Sequence, residues 1–204
     1  MKKRILIGML LLGGVFSARA ENVVRDFAAR ASEASVSFRY TFHVQNQVNL
    51  QGSGSAQVQG EAFHVSGNGL DIWCDGRTRW TVDAAARELI IEPVEQDILD
   101  YAANPALLVG SVAEAFNIES VGQTKFQGKV CTAGVLSPKQ KMDITWLKLY
   151  FQKDVLIGAE VRVPDGTVTE FSITDLSFKE KGPASAFAFD PAGVDASWVV
   201  TDLR

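Results

Sequence analysis

Alternation of apolar and polar residues with a period of two governs most of this chain. The segment VSFRYTFHV sets Val36, Phe38, Tyr40, Phe42 and Val44 on one face, and Ser37, Arg39, Thr41 and His43 on the other. That is the pattern of an antiparallel strand with one face buried and the other in water. Residues 48–58 read as its hairpin partner, loosened by Gly52-Ser53-Gly54-Ser55. Short strands follow over 62–66, 69–74, 77–83 and 88–92, and Asp75-Gly76 is a strong hairpin turn. Later the pattern returns, with strands over 118–126, 129–137, 144–152, 155–163, 167–178 and 186–189, and 198–203 extended at the end.

Two stretches break the alternation. Residues 21–33 carry Val24, Phe27, Ala28 and Ala31 at the spacing of an amphipathic helix. The segment PVEQDILDYAANPALLVGSVAEAFNI reads as two short helices parted near Asn104-Pro105, because proline suits a helix N-terminus. Its apolar residues include Ile98, Leu99, Leu107, Leu108, Val112 and Phe116. With helices only before and amid about eleven strands, the expected fold is mostly β (α+β). It is one strongly curved antiparallel sheet forming an unclosed β-barrel, with an N-terminal helix and a mid-chain helical lid over its concave side.

The hairpin DIWCDGRTRWTVDAAARELIIEP concentrates apolar residues on three of these strands. Leu70, Ile72, Trp80, Val82, Leu89 and Ile91 are its candidates for the concave face and for contact with an apolar ligand. They suit an ordinary β core equally well. Parity does not assign Trp73 and Trp80 together, because the turn at Asp75-Gly76 resets the phase.

The first twenty residues have the layout of a secretory signal peptide: Lys2, Lys3 and Arg4, an apolar run from Ile5 to Phe16, then Ala18-Arg19-Ala20. Cleavage is expected after Ala20, leaving residues 21–204 as one domain in the periplasm. The leader holds four basic residues and no acids, so its loss takes the formal charge from −4 to −8. Such a chain is poorly suited to nucleic acid, whose affinity comes largely from phosphate neutralisation.

Catalytic templates are missing from the pattern. The histidines are His43 and His64, and no H-x-H, H-E-x-x-H, G-x-S-x-G or C-x-x-C occurs. Glu92, Glu95, Asp97 and Asp100 read as the solvated start of a helix, where acids suit the dipole. No enzymatic activity, metal or cofactor is expected. Cys74 and Cys131 are the only cysteines; in an oxidising compartment they could be bridged, or they could be two small buried hydrophobes.

Several motifs in order carry a resemblance. They are VSFRYTF after the first helix, Asp75-Gly76 with Trp80, NPALL, LSPK at Leu136–Lys139, and FAFDPAGV at Phe187–Val194. Over nearly the whole mature chain these make it similar to the periplasmic outer-membrane lipoprotein carriers, the LolA family, in a divergent form. The resemblance implies an unclosed barrel with a helical lid and an apolar cavity. It also implies acylated lipoproteins as cargo, an inner-membrane lipoprotein-releasing transporter as source, an outer-membrane acceptor, a monomeric carrier and no cofactor. Carriers of that family hold the lid with an arginine after the early hairpin; the equivalent place here is Gly60-Glu61. A lipid- or glycolipid-binding protein, or an envelope-stress sensor domain, would use the same half-barrel.

Overall fold

Hairpin follows hairpin along the first arm of the sheet because the turns hold residues that accept positive φ. In the computed structural model, which describes residues 14–45, 50–94 and 104–204, helix α1 (Gly14–Glu33) precedes six strands paired in sequence order. These are β1 (Ser35–Val44), β2 (Gln51–Gln59), β3 (Ala62–Gly67), β4 (Leu70–Cys74), β5 (Thr78–Asp83) and β6 (Glu88–Pro93). Asn68 and Gly69 close β3 onto β4 with φ of 53° and 85°, the doubly positive geometry whose twist matches paired strands. At the expected Asp75-Gly76 turn, the Asp75 carboxylate accepts from the N–H groups of Arg77 and Thr78, both at 2.8 Å.

The chain then crosses to the opposite edge through α2 (Pro105–Gly110) and α3 (Val112–Ala115). It returns as β7 (Phe116–Phe126), β8 (Lys129–Pro138), β9 (Trp146–Gln152), β10 (Val155–Arg162) and β11 (Val168–Lys179), and β11 pairs with β1. Two short 3-10 helices, Ala184–Phe187 and Pro191–Gly193, lead to β12 (Val199–Asp202), which adds to β6. The order is β12-β6-β5-β4-β3-β2-β1-β11-β10-β9-β8-β7. Since β12 and β7 are edges that do not meet, this is the expected unclosed barrel.

The main core lies between this sheet and the helices. Val24, Phe27 and Ala31 of α1 and Leu107, Leu108 and Val109 of α2 join Phe38, Val58, Leu149, Phe151 and Phe171 from the strands. Gly134 on β8 sets the approach of α1: a Cβ there would fall 2.7 Å from Val24 Cγ2.

The structure departs from the sequence reading in several places. There are twelve strands among the described residues, and β12 pairs in parallel, so the sheet is not wholly antiparallel. Residues 186–189 are not a strand; the N–H groups of Ala186 and Ala188 bond back to Pro183 and Ser185, forming the first 3-10 helix. Helix α1 starts at Gly14 rather than at residue 21. Phe116 begins β7 instead of ending a helix, although its side chain is in the main core. The lid candidates Ile98 and Leu99, the acids Glu95, Asp97 and Asp100, and residues 1–13 of the leader lie outside the described residues.

Candidate functional site

Directly paired residues on neighbouring strands point to the same side, so register sorts the faces. No shift interrupts the pairings from β1–β2 through β5–β6. One row runs Val36, Val58, Phe63, Cys74, Arg79, Glu92; the next runs Phe38, Ala56, Val65, Ile72, Thr81, Ile90. A third runs Tyr40, Gly54, Gly67, Leu70, Asp83, Glu88. These rows form the concave side, because Val58 lies directly beneath Gly110 of α2.

Of the six candidates for this side, Leu70 and Ile72 are on it. Trp80, Val82, Leu89 and Ile91 are not: they face the convex side with Trp73. The cause is the even number of residues, 75–78, between the paired Cys74 and Arg79, which sets Trp73 opposite Trp80 and turns both away from Ile72. On the convex side they form a second core covered by Phe189, Val194 and Trp198. FAFDPAGV is thus the clasp of a C-terminal strap. Asp190 caps its second 3-10 helix by accepting from the Ala192 N–H at 3.0 Å. The side chain of Gln59 anchors the strap's root by bonding both the carbonyl and the N–H of Gly182, at 2.7 and 2.8 Å. At its far end Arg87 donates to Ser197 Oγ at 3.2 Å.

What sequence reasoning missed on the concave side is Arg79, Thr81, Ile90 and, through β12, Val199 and Thr201. Leu70 and Ile90 are each 37% exposed and Val199 is 60% exposed; their place on one face, rather than exposure alone, marks them out. With half-buried Ile72 they make an apolar strip on β4, β6 and β12, joined across β5 by Thr81. Asp83 and Glu88 lie in the row of Leu70 and Val199, between the two. Arg79 and Glu92 border the strip, with Arg79 Nε and Nη2 at 3.0 and 2.9 Å from the same oxygen, Glu92 Oε1.

Gly60 offers no side chain to latch α2. At Gly60 the chain makes a positive-φ turn (60°). A Cβ on Gly110 would lie 3.2 Å from the Gly60 carbonyl oxygen and 2.5 Å from Val58 Cγ2. Close backbone approach therefore seats α2 on β2. Asn104 caps α2 by accepting from the Ala106 N–H at 3.0 Å, and Leu107 and Leu108 are buried beneath the helix. Val112 of α3 is buried as well. In LSPK, the Lys139 ammonium donates to the Ala113 carbonyl at 2.7 Å and the Lys139 N–H to that of Ala115 at 2.8 Å, pinning α3.

The bridged alternative for the cysteines is corrected: both are free and buried. Cys74 on β4 is in the main core, whereas Cys131 on β8 packs on the convex side with Phe126 and Tyr150. Six strands separate them in the sheet, β3, β2, β1, β11, β10 and β9. Burial pushes the Cys74 thiol up to about 11. His64 stacks on Trp73 at 3.6 Å, and its Nε2 lies 3.1 Å from Asp71 Oδ1, on the convex side. Among the described residues no group of three or more His, Cys, Asp or Glu could hold a metal ion. None of the described helices is long and apolar enough to cross a membrane.

An open half-barrel with helices across its concave face and an apolar strip beside them defines the class of structure. The chain is 24% identical over 201 residues to an outer-membrane lipoprotein carrier protein of Legionella pneumophila strain Corby, covering 96% of this chain and 98% of that one. The proteins so named from strains Lens and Paris match at the same identity and coverage. An uncharacterised conserved protein from Thermus thermophilus shares the fold, with a TM-score of 0.53 and 8% identity over 89% of this chain and 98% of that chain. A LolA superfamily protein from Nitrosomonas europaea superposes more loosely, with a TM-score of 0.46 and 9% identity over 83% and 97% of the two chains. No family model matches. The chain is a divergent relative of the outer-membrane lipoprotein carrier proteins.

Proposed function

We propose that the protein carries lipoproteins across the periplasm by shielding their acyl chains on the concave side of the half-barrel. The supporting observation is the apolar strip of Leu70, Ile72, Ile90 and Val199, large apolar groups left facing outward on the helix-bearing face. An acyl chain offers the missing cover. Burying one is worth about 0.8 kcal/mol per methylene, so on the order of 10 kcal/mol for a long chain. The sheet supplies a pre-formed floor, and α2 and α3 form one wall.

In this reading the leader is removed after Ala20. The carrier, a monomer, receives cargo from an inner-membrane transporter and delivers it to an outer-membrane acceptor. No step requires a cofactor or a covalent reaction. A photo-crosslinker at Ile90 tests it: lipidated proteins should be captured in cells there, whereas one at Trp80, one row away but on the convex face, should capture none. Capture of free lipid alone at Ile90 points to a general lipid binder. No capture at Ile90 by a folded variant refutes the cavity.

A further inference from the structure

The first concave row is apolar from Val36 through Val58, Phe63 and Cys74, and then changes character at Arg79 and Glu92. Both side chains are partly buried, Arg79 at 33% and Glu92 at 27% exposure. A partly desolvated ion pair seldom improves stability over apolar packing. Here it is also lopsided: both guanidinium nitrogens converge on Oε1, so the fork-to-fork geometry that gives the strongest arginine–carboxylate pairs is not formed. Arg79 is paired across the strands with Cys74, which is 1% exposed, so its stem rises from buried apolar floor. Beside it lie Thr81 and Ile90 of the apolar strip.

We propose, resting on the acyl-binding reading above, that Arg79 holds the polar end of the bound chain. A guanidinium presents five N–H donors and no acceptor. It therefore selects an end rich in acceptor oxygens, the ester or amide carbonyl of an acylated protein or the carboxylate of a free fatty acid. Glu92 is the counter-charge that holds the guanidinium over the strip and that such an end displaces in part. Low local dielectric strengthens the attraction relative to water, while one-third exposure leaves the group reachable. Two rows along, the carboxylates of Asp83 and Glu88 disfavour the same end, which leaves it at Arg79.

Three probes separate the possibilities: palmitate, hexadecanol and a diacylated lipopeptide, each competed against a fluorescent fatty-acid analogue. The ratio of palmitate to hexadecanol affinity cancels burial of the chain and reads the polar end. Arg79→Met should lower that ratio about tenfold, the scale of one charge-assisted hydrogen bond, and Glu92→Gln should raise it. An unchanged ratio in both variants overturns the role of Arg79. An Arg79→Met loss for the lipopeptide equal to that for palmitate assigns the carbonyl of acylated protein, and a loss confined to palmitate assigns a free carboxylate. If the wild-type protein binds none of the three, the acyl-binding reading itself fails. Because Glu92→Gln acts in the opposite direction, misfolding of Arg79→Met does not protect the proposal.

Discussion

Gly110→Ala is the most direct test of how the helices are held to the sheet. The added Cβ would fall 2.5 Å from Val58 Cγ2 and 3.2 Å from the Gly60 carbonyl oxygen. Unbonded carbons rest at about 3.5–4.0 Å, so α2 must retreat from β2 by roughly 1 Å. Val58 is 1% exposed and cannot step aside, because a β-branched side chain is stiff at χ1. Overpacking of this kind costs about 1–3 kcal/mol. Replacing glycine in a helix interior returns at most about 0.5–1 kcal/mol, and Gly110 ends α2, so the return is smaller. The expected net loss is about 1–2 kcal/mol by urea unfolding. Hydrogen exchange at Leu108 and Ser111, whose N–H groups bond to Asn104 and Leu107, should quicken with it.

A double-mutant cycle isolates the contact. Val58→Ala alone leaves a cavity and should cost about 2–3 kcal/mol. In Val58→Ala/Gly110→Ala the new methyl enters that cavity, so the two costs should fall short of additivity by about 1 kcal/mol or more. Wild-type stability in Gly110→Ala, or strict additivity in the pair, refutes close backbone approach as the device that seats α2.

Other outcomes follow from the convex face and the thiols. Phe189→Ala removes part of the cover over Trp80, Val82, Leu89 and Ile91; it should cost roughly 1–3 kcal/mol by urea melting, raise dye binding to exposed apolar surface, and leave acyl binding on the other face intact. Protein purified under oxidising conditions should carry two free thiols by intact mass, both slow to react until unfolding. The folded Cys74 thiol keeps its proton up to about pH 11, whereas an unfolded one loses it near 8.5. The folded state therefore binds more protons between those values. Stability present below about pH 8.5 should decline as pH rises through 11, by at most roughly 3 kcal/mol, and Cys74→Ala should remove that decline.

Strand alternation made the arms of the sheet legible in the sequence, since a one-residue error would have put Phe38 and Tyr40 in water. The faces of β5 and β6 were not legible, because alternation fixes parity only within one strand. Each turn must carry the phase forward. Counting Asp75, Gly76, Arg77 and Thr78 as a four-residue connection places Trp73 beside Trp80 and away from Ile72. A two-residue Asp75-Gly76 turn has the same parity, whereas a three- or five-residue loop reverses it, and grouping Ile72 with Trp80 followed the reversed parity. β12 was read only as extended because its four side chains are all exposed, leaving no buried pattern to assign a partner. The seat of α2 was hidden for another reason: Gly110 acts through the side chain it lacks.

The convex cores explain how such a fold can leave apolar groups uncovered on its concave side. A sheet that filled its concavity with its own side chains would be stable and have no room for cargo. Here burial is moved outward at both arms. On one arm the strap closes over Trp80, Val82, Leu89 and Ile91; on the other, Phe126 folds over Gly158 and stacks on Tyr150 at 4.5 Å. Each cluster fixes the curvature of its arm from behind, so the strip of Leu70, Ile72, Ile90 and Val199 can keep its shape without being filled. Side chains that look like the binding site in the sequence, the Trp80 hairpin above all, are then the support of the proposed site. The strip itself is built from residues that alternate with them.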